Sequence, residues 1–271
     1  MITSTNNERV RRVVAYVEKS KARREDSVFV IEGMKMLREA PVLQVSEVFV
    51  TTRFLDGANE EDQEILWRYG AEEVSEEVMK KMSDTQTPQG VLAVIRHYDY
   101  TMEEVLEGYN QGAAEEGKDN APLLLVLENI QDPGNLGTML RSGEGAGVTG
   151  VILSKGSADI YNPKVIRSTM GSIFRVPFIY VEDVPSMVKE LSAKGIHTYA
   201  AHLKGEKNYD EFDYTGPTAF LIGNEGNGLT KETADAAETY VLIPMKGEVE
   251  SMNAATSSAI LTFEASRQRR G

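Results

Sequence analysis

Asn135 and Arg141 close the stretch ENIQDPGNLGTMLR, which runs from Glu128, and their types could do chemistry. An arginine offers a rigid fork of donors suited to a phosphate or to an oxygen gaining negative charge. Asn135 brings an amide that donates and accepts close to a helix start. Two further segments hold groups of the same kind. GNEGNGL, Gly223 to Leu229, sets Glu225 among glycines, whose backbone freedom lets a ligand approach closely. IPMKGEVESMNAATSSAILTFEASRQ, Ile243 to Gln268, places Ser251 and Asn253 ahead of a helical run. Either side chain can cap that helix, and capping is compatible with ligand binding at the same end.

Each segment follows an apolar run that reads as a strand: LLLVL (123–127), TAFLI (218–222) and TYVLIP (239–244). Further strands are expected at 148–154, 177–181 and 197–203, with helices near 135–146, 162–173, 184–194, 231–237 and 253–268. This alternation points to a mainly parallel sheet covered on both faces, with its chemistry in loops at the carboxyl ends of strands. The small face Ala254, Ala255, Ser258 and Ala259 suits close helix packing, a dimer contact included. Upstream, Val10, Val13, Val14 and Val17 predict a helix over 7–22. SVFVIEG, VSEVFVT and GVLAVI read as strands, enough for a small α/β/α domain. The expected division is 1–97, a linker at 98–121 and 122–271.

Composition narrows the classes. The chain has 271 residues, no cysteine and a net charge of −13. Disulfides, thiolate metal sites and cysteine nucleophiles are excluded together, which suits a cytoplasmic location. No apolar run of about 18 residues suggests a membrane span. The acid is concentrated: residues 41–121 balance to −12, whereas residues 1–40 balance to +3. Arg9, Arg11, Lys21, Arg23 and Arg24 fall in one basic run and are candidates for contacts to nucleic-acid phosphates, because local field outweighs total charge within a Debye length. His97, His197 and His202 lack metal-ligand spacing, so no metal is expected. GAGVTG, Gly145 to Gly150, matches a dinucleotide string but ends a helix instead of opening one.

Taken together, NIQDPGNLGTMLRSGEGAG, FLIGNEGNGL and IPMKGEVESMNAATSSAILTFEASRQ resemble, in order and spacing, the three motifs of the SpoU (TrmH-like) RNA 2′-O-ribose methyltransferases. The segments KARREDSVFVIEG and TPQGVLAVI are similar to that family's ribosomal-protein-L30-like (L30e-like) substrate-binding domain. The resemblance implies an α/β-knot catalytic domain with a deep trefoil, S-adenosylmethionine as methyl donor, and a homodimer with its sites at the interface. It implies Asn135, Arg141, Glu225, Ser251 and Asn253 as catalytic residues. Cofactor contacts are implied for Gly223, Ile243, Met245, Met252 and Asn253. Met252 replaces the family's usual leucine, a volume-conserving change. The implied substrate is structured RNA, large-subunit ribosomal RNA ahead of transfer RNA. The rival from another class is a non-catalytic RNA-binding protein that retains the fold.

Overall fold

The computed structural model describes residues 1–107, 121–249 and 251–270, and its contacts divide into two units. The first comprises Met1–Tyr98 together with Asp159–Phe174. Its sheet contains β1 (Val28–Glu32), β2 (Val45–Thr51), β3 (Glu72–Val74) and β4 (Val91–Arg96), in the order β1-β4-β2-β3. β4 is antiparallel to both neighbours, and β3 runs parallel to β2. Val10, Val13, Phe49, Val78, Met79 and Leu92 are buried together in its core.

The helix expected over 7–22 is two helices, Glu8–Glu18 and Ser20–Asp26, with Lys19 extended between them. The cause is Arg23, whose Nη1 donates to the carbonyls of Tyr16 (2.6 Å) and Val17 (3.3 Å). Those are carbonyls that a helix end leaves without intrahelical partners. Arg23 also pairs with Asp159 at 2.6 Å and is only 3% exposed. In the same unit Tyr161 stacks on His97 at 3.9 Å and on Phe29 at 4.7 Å, and its hydroxyl accepts from the Tyr98 N–H. The segment 159–174, grouped by sequence with the C-terminal half, thus packs with the first 98 residues.

The second unit comprises Asp99–Ala158 and Arg175–Gly271. Its strands are β5 (Leu123–Leu127), β6 (Gly150–Ser154), β7 (Phe178–Val181), β8 (His197–Ala201), β9 (Lys207–Asn208), β10 (Thr218–Ile222) and β11 (Thr239–Leu242). They form one sheet in the order β7-β6-β5-β10-β8-β11-β9, and every pairing is parallel. Every residue of β5, β6 and β10 is buried, as a sheet covered on both faces requires. From β5 the chain builds outward through β6 to β7, then restarts on the other side with β10 seated against β5. That reversal opens a crevice at the carboxyl ends of β5 and β10.

Two expectations change here. Residues 98–107, read as linker, include a helix, Met102–Glu107, whose Val105 is fully buried. It lies so close to β6 that a Cβ on Gly150 would meet the Val105 carbonyl at 2.2 Å. The rest of that linker, 108–120, lies outside the described residues. The small face of the last helix, Ala254–Arg269, is largely buried within the chain at Ala254, Ala255 and Ser258, so it is not a free dimer face. Arg269 fastens that helix by donating to the carbonyls of Tyr214, Ala121, Pro122 and Gly216.

Candidate active site

Leu127 and Ile222 are paired at the ends of β5 and β10, so Glu128 and Gly223 leave the sheet side by side. Glu128 is 5% exposed, and its carboxylate accepts from the N–H of Thr230 (2.7 Å) and from the hydroxyls of Thr230 and Thr233. It therefore fixes the far end of the Gly223–Leu229 loop. Gly223 is required by that loop itself. A Cβ there would meet the Gly228 and Leu229 backbone at 2.1 Å, where Asn224 and Gly228 exchange backbone hydrogen bonds.

The first loop is built for a helix start. Asp132 caps the helix Pro133–Ala146 by accepting from the Asn135 N–H at 2.8 Å, and Pro133 begins it. Glu225 reaches across from the second loop. Its Oε1 accepts from the Asp132 N–H (3.1 Å) and from Asn135 Nδ2 (3.0 Å), and its Oε2 from the Gln131 N–H (3.2 Å). Burial alone would push this carboxyl up. The Asn135 amide and the backbone N–H groups of Glu225, Gln131 and Asp132 outweigh it and hold the group below its ordinary value.

A carboxylate only accepts, so Asn135 must turn its NH₂ toward Glu225 and its oxygen away. That oxygen accepts from Asn253 Nδ2 at 3.0 Å. The Asn253 oxygen is then left to cap the last helix, accepting from the N–H groups of Ala255 (2.9 Å) and Thr256 (3.2 Å). One ionised group thereby orients every amide in a chain joining all three loops. The same residues line an open cleft of about 730 Å³, together with Ser251 and Met252.

Five of the expected residues thus meet: Asn135, Glu225, Ser251, Met252 and Asn253. Arg141 does not line the cleft; it is exposed and makes no ion pair among the described residues. Six residues beyond Asn135, it is turned by roughly 240° around the helix. Ile243 and Met245 are also outside the lining but half-buried. Asn129 and Ser154, which sequence reading passed over, brace the first loop: the Asn129 N–H donates to Ser154 Oγ at 2.8 Å with Asn129 at φ 55°.

The expected RNA-facing run is reduced. Arg23 is buried and paired as described above, which removes it from that set. Arg9 is held by Glu47 and Glu72 at 3.0 Å each. Arg11, Lys21 and Arg24 remain exposed, with Lys21 near Glu25 at 3.6 Å. No cluster of His, Cys, Asp or Glu suited to a metal occurs among the described residues, and none of their helices is long and apolar enough to cross a membrane.

The model of the SpoU rRNA Methylase family matches residues 122–263, which contain all three loops. The chain belongs to the SpoU rRNA methylase family. Membership makes it a methyltransferase. The MRM3-like substrate binding domain matches residues 7–93. Among curated relatives, the 23S rRNA (guanosine(2553)-2′-O)-methyltransferase RlmP of Bacillus subtilis is 33% identical over 70% of each chain. The human mitochondrial rRNA methyltransferase 3 is 30% identical over 97% of this chain and 73% of its own. Among solved structures, an AdoMet-bound rRNA methyltransferase from Sinorhizobium meliloti superposes with a TM-score of 0.82 at 28% identity. It covers 98% of this chain and 97% of that one.

Proposed function

We propose that this SpoU methylase transfers a methyl group from S-adenosylmethionine to a ribose 2′-hydroxyl of ribosomal RNA, in the large subunit. The observation that carries this reading is the Glu225–Asn135–Asn253 chain, which draws three loops around one cleft. The residues present fit the cofactor: Ile243, Met245 and Met252 are half-buried and offer apolar surface to adenine. When bound, S-adenosylmethionine supplies an electrophilic methyl on a sulfonium that becomes a neutral thioether as the C–S bond breaks.

This chain's residues then have to hold the 2′-oxygen in line and accommodate the charge it gains. Because arginines are not deprotonated in proteins, the part assigned to Arg141 is not that of a base. Its role is to hold the ribose phosphate and stabilise the developing alkoxide, while the hydroxyl proton leaves to water or a phosphate oxygen. Glu225 is a tie between loops: its carboxylate already accepts three hydrogen bonds. An arginine turned away from its own cleft supports the expected homodimer, in which a second copy completes the site. Phe263, 45% exposed beside Gly145 on the neighbouring helix, adds apolar surface for that contact.

The test is ribose-methylation mapping of total RNA from a strain lacking the gene against its parent, with labelled-methyl transfer by the purified protein. Loss of one 2′-O-methyl in large-subunit ribosomal RNA is expected. A lost mark in transfer RNA instead would overturn the substrate, and calorimetry showing no S-adenosylmethionine binding would overturn the enzymatic reading.

A further inference from the structure

Beside the last strands lies a second open groove, of about 720 Å³, that the chemistry above does not use. β9 pairs with only Val241 and Leu242 of β11, so Thr239 and Tyr240 border the groove with no strand beyond them among the described residues. Lys204 enters from the chain between β8 and β9, Lys207 from β9 itself, and Asp235 and Glu238 from the chain leading into β11. The two acids are engaged: Asp235 accepts from Lys231 and the Tyr240 hydroxyl, and Glu238 from His197 at 2.9 Å. Neither lysine has a carboxylate partner among the described residues, although Glu206 lies between them. Ring faces lie alongside. Lys207 Nζ stands 5.9 Å from the Phe212 centroid, and Tyr240 stacks on His202 at 4.7 Å and 25°.

Uncommitted cations next to aromatic faces make the surface on which single-stranded nucleic acid binds: phosphates meet the cations and bases stack on the rings. Resting on the RNA reading above, we propose that this groove holds an unpaired stretch of the RNA substrate flanking the methylated nucleotide. Lys204 and Lys207 take backbone phosphate, and Tyr240 and Phe212 take a base. The carboxylates of Asp235 and Glu238 repel phosphate and accept from base amino groups, which fixes the direction of the bound nucleotide. Position agrees with this role. Across the sheet, β10 and β9 are three inter-strand steps apart, about 14 Å, so the groove and the catalytic loops belong to neighbouring parts of one sheet. β11 borders the groove and leads at Ile243 directly into the third-motif loop.

The experiment measures the salt dependence of binding of a fluorescein-labelled single-stranded RNA to the full chain, alongside KM for the methylated RNA. For the double variant Lys204→Gln/Lys207→Gln, the slope of log affinity against log salt should fall by about 0.7 per lysine. The RNA KM should rise about tenfold, as expected for lost phosphate contacts. S-adenosylmethionine affinity should stay at the wild-type value. Tyr240→Leu should weaken RNA binding with the slope unchanged, because stacking releases no counterions. Wild-type slope and KM in the lysine variant, with methylation intact, would overturn the groove and leave the methyltransferase reading standing. If the wild-type chain methylates no RNA, that reading fails, and the slope still reports on the groove.

Discussion

Glu225→Gln separates a tie between loops from a general base. The carboxylate accepts from two donors at Oε1 and one at Oε2. A glutamine has a single acceptor oxygen. With that oxygen at the Oε1 position its NH₂ faces the Gln131 N–H, and with the amide reversed two bonds are lost. The better arrangement still loses one charge-assisted bond and sets two donors against each other. Such bonds contribute about 1.5–3 kcal/mol when well buried. Glu225 is exposed, so screening brings the figure to about 1–2 kcal/mol, a factor of about 5–30 in the population of the assembled loops. Calorimetry should therefore show S-adenosylmethionine affinity falling by that factor, with the rate at saturating cofactor changing less. Because the folded carboxyl lies below its ordinary value of 4.5, its stabilising effect is complete above that pH and is lost as pH falls through the lower, folded value. Cofactor affinity should be level from pH 6 to 9 and weaken only under acid conditions. Unchanged affinity with a collapsed rate, and a pH–rate limb that disappears in the variant, would refute the tie and make Glu225 the base.

Arg141→Lys should lower kcat by about a hundredfold with cofactor affinity unchanged, since an ammonium lacks the bidentate fork; near wild-type turnover with a flat pH–rate profile would remove that requirement. Arg23→Ala should cost about 3 kcal/mol in urea unfolding, because it bares the Tyr16 and Val17 carbonyls and breaks the pair with Asp159. His97 is pushed below its ordinary 6.5, first by burial, and its Nε2 is buried without a partner among the described residues. A depressed folded value means stability is highest above pH 6.5 and falls as pH drops toward the folded value. His97→Phe should flatten that fall in thermal melts taken from pH 7.5 to 5.5.

Much of this was legible from pattern. LLLVL and TAFLI became strands because uninterrupted apolar runs of that length suit sheets buried on both faces, and TYVL became a strand nearer the sheet edge with only Val241 buried. The cap of the last helix was readable as Ser251 or Asn253 and is Asn253, whereas the helix expected near 135–146 starts earlier, at Pro133 with Asp132 as its cap. What escaped depended on distant partners. Lys19 breaks a helix because Arg23 captures carbonyls at its end, a tertiary effect that leaves no periodic signal. The strands Glu72–Val74 and Lys207–Asn208 are too short to show alternation. Nothing local marks Glu128, just past the LLLVL run, and only Thr230, far along the chain, reveals why a carboxylate is buried there. Arg141 belonged to the right segment, but its rotation around the helix set it away from the cleft.

Asp159–Phe174 leaves from β6 and returns to β7, yet its side chains finish the packing of the N-terminal unit. Scissors applied at residue 98 would yield two incomplete fragments. The N-terminal piece would lose the ring lying on His97 and the acid neutralising Arg23, and the C-terminal piece would carry Tyr161 and Ile166 stripped of their cover. RNA-binding studies on an isolated N-terminal fragment would thus report on a damaged surface, and trimming this enzyme to a catalytic minimum would demand repair of that hairpin-like excursion first.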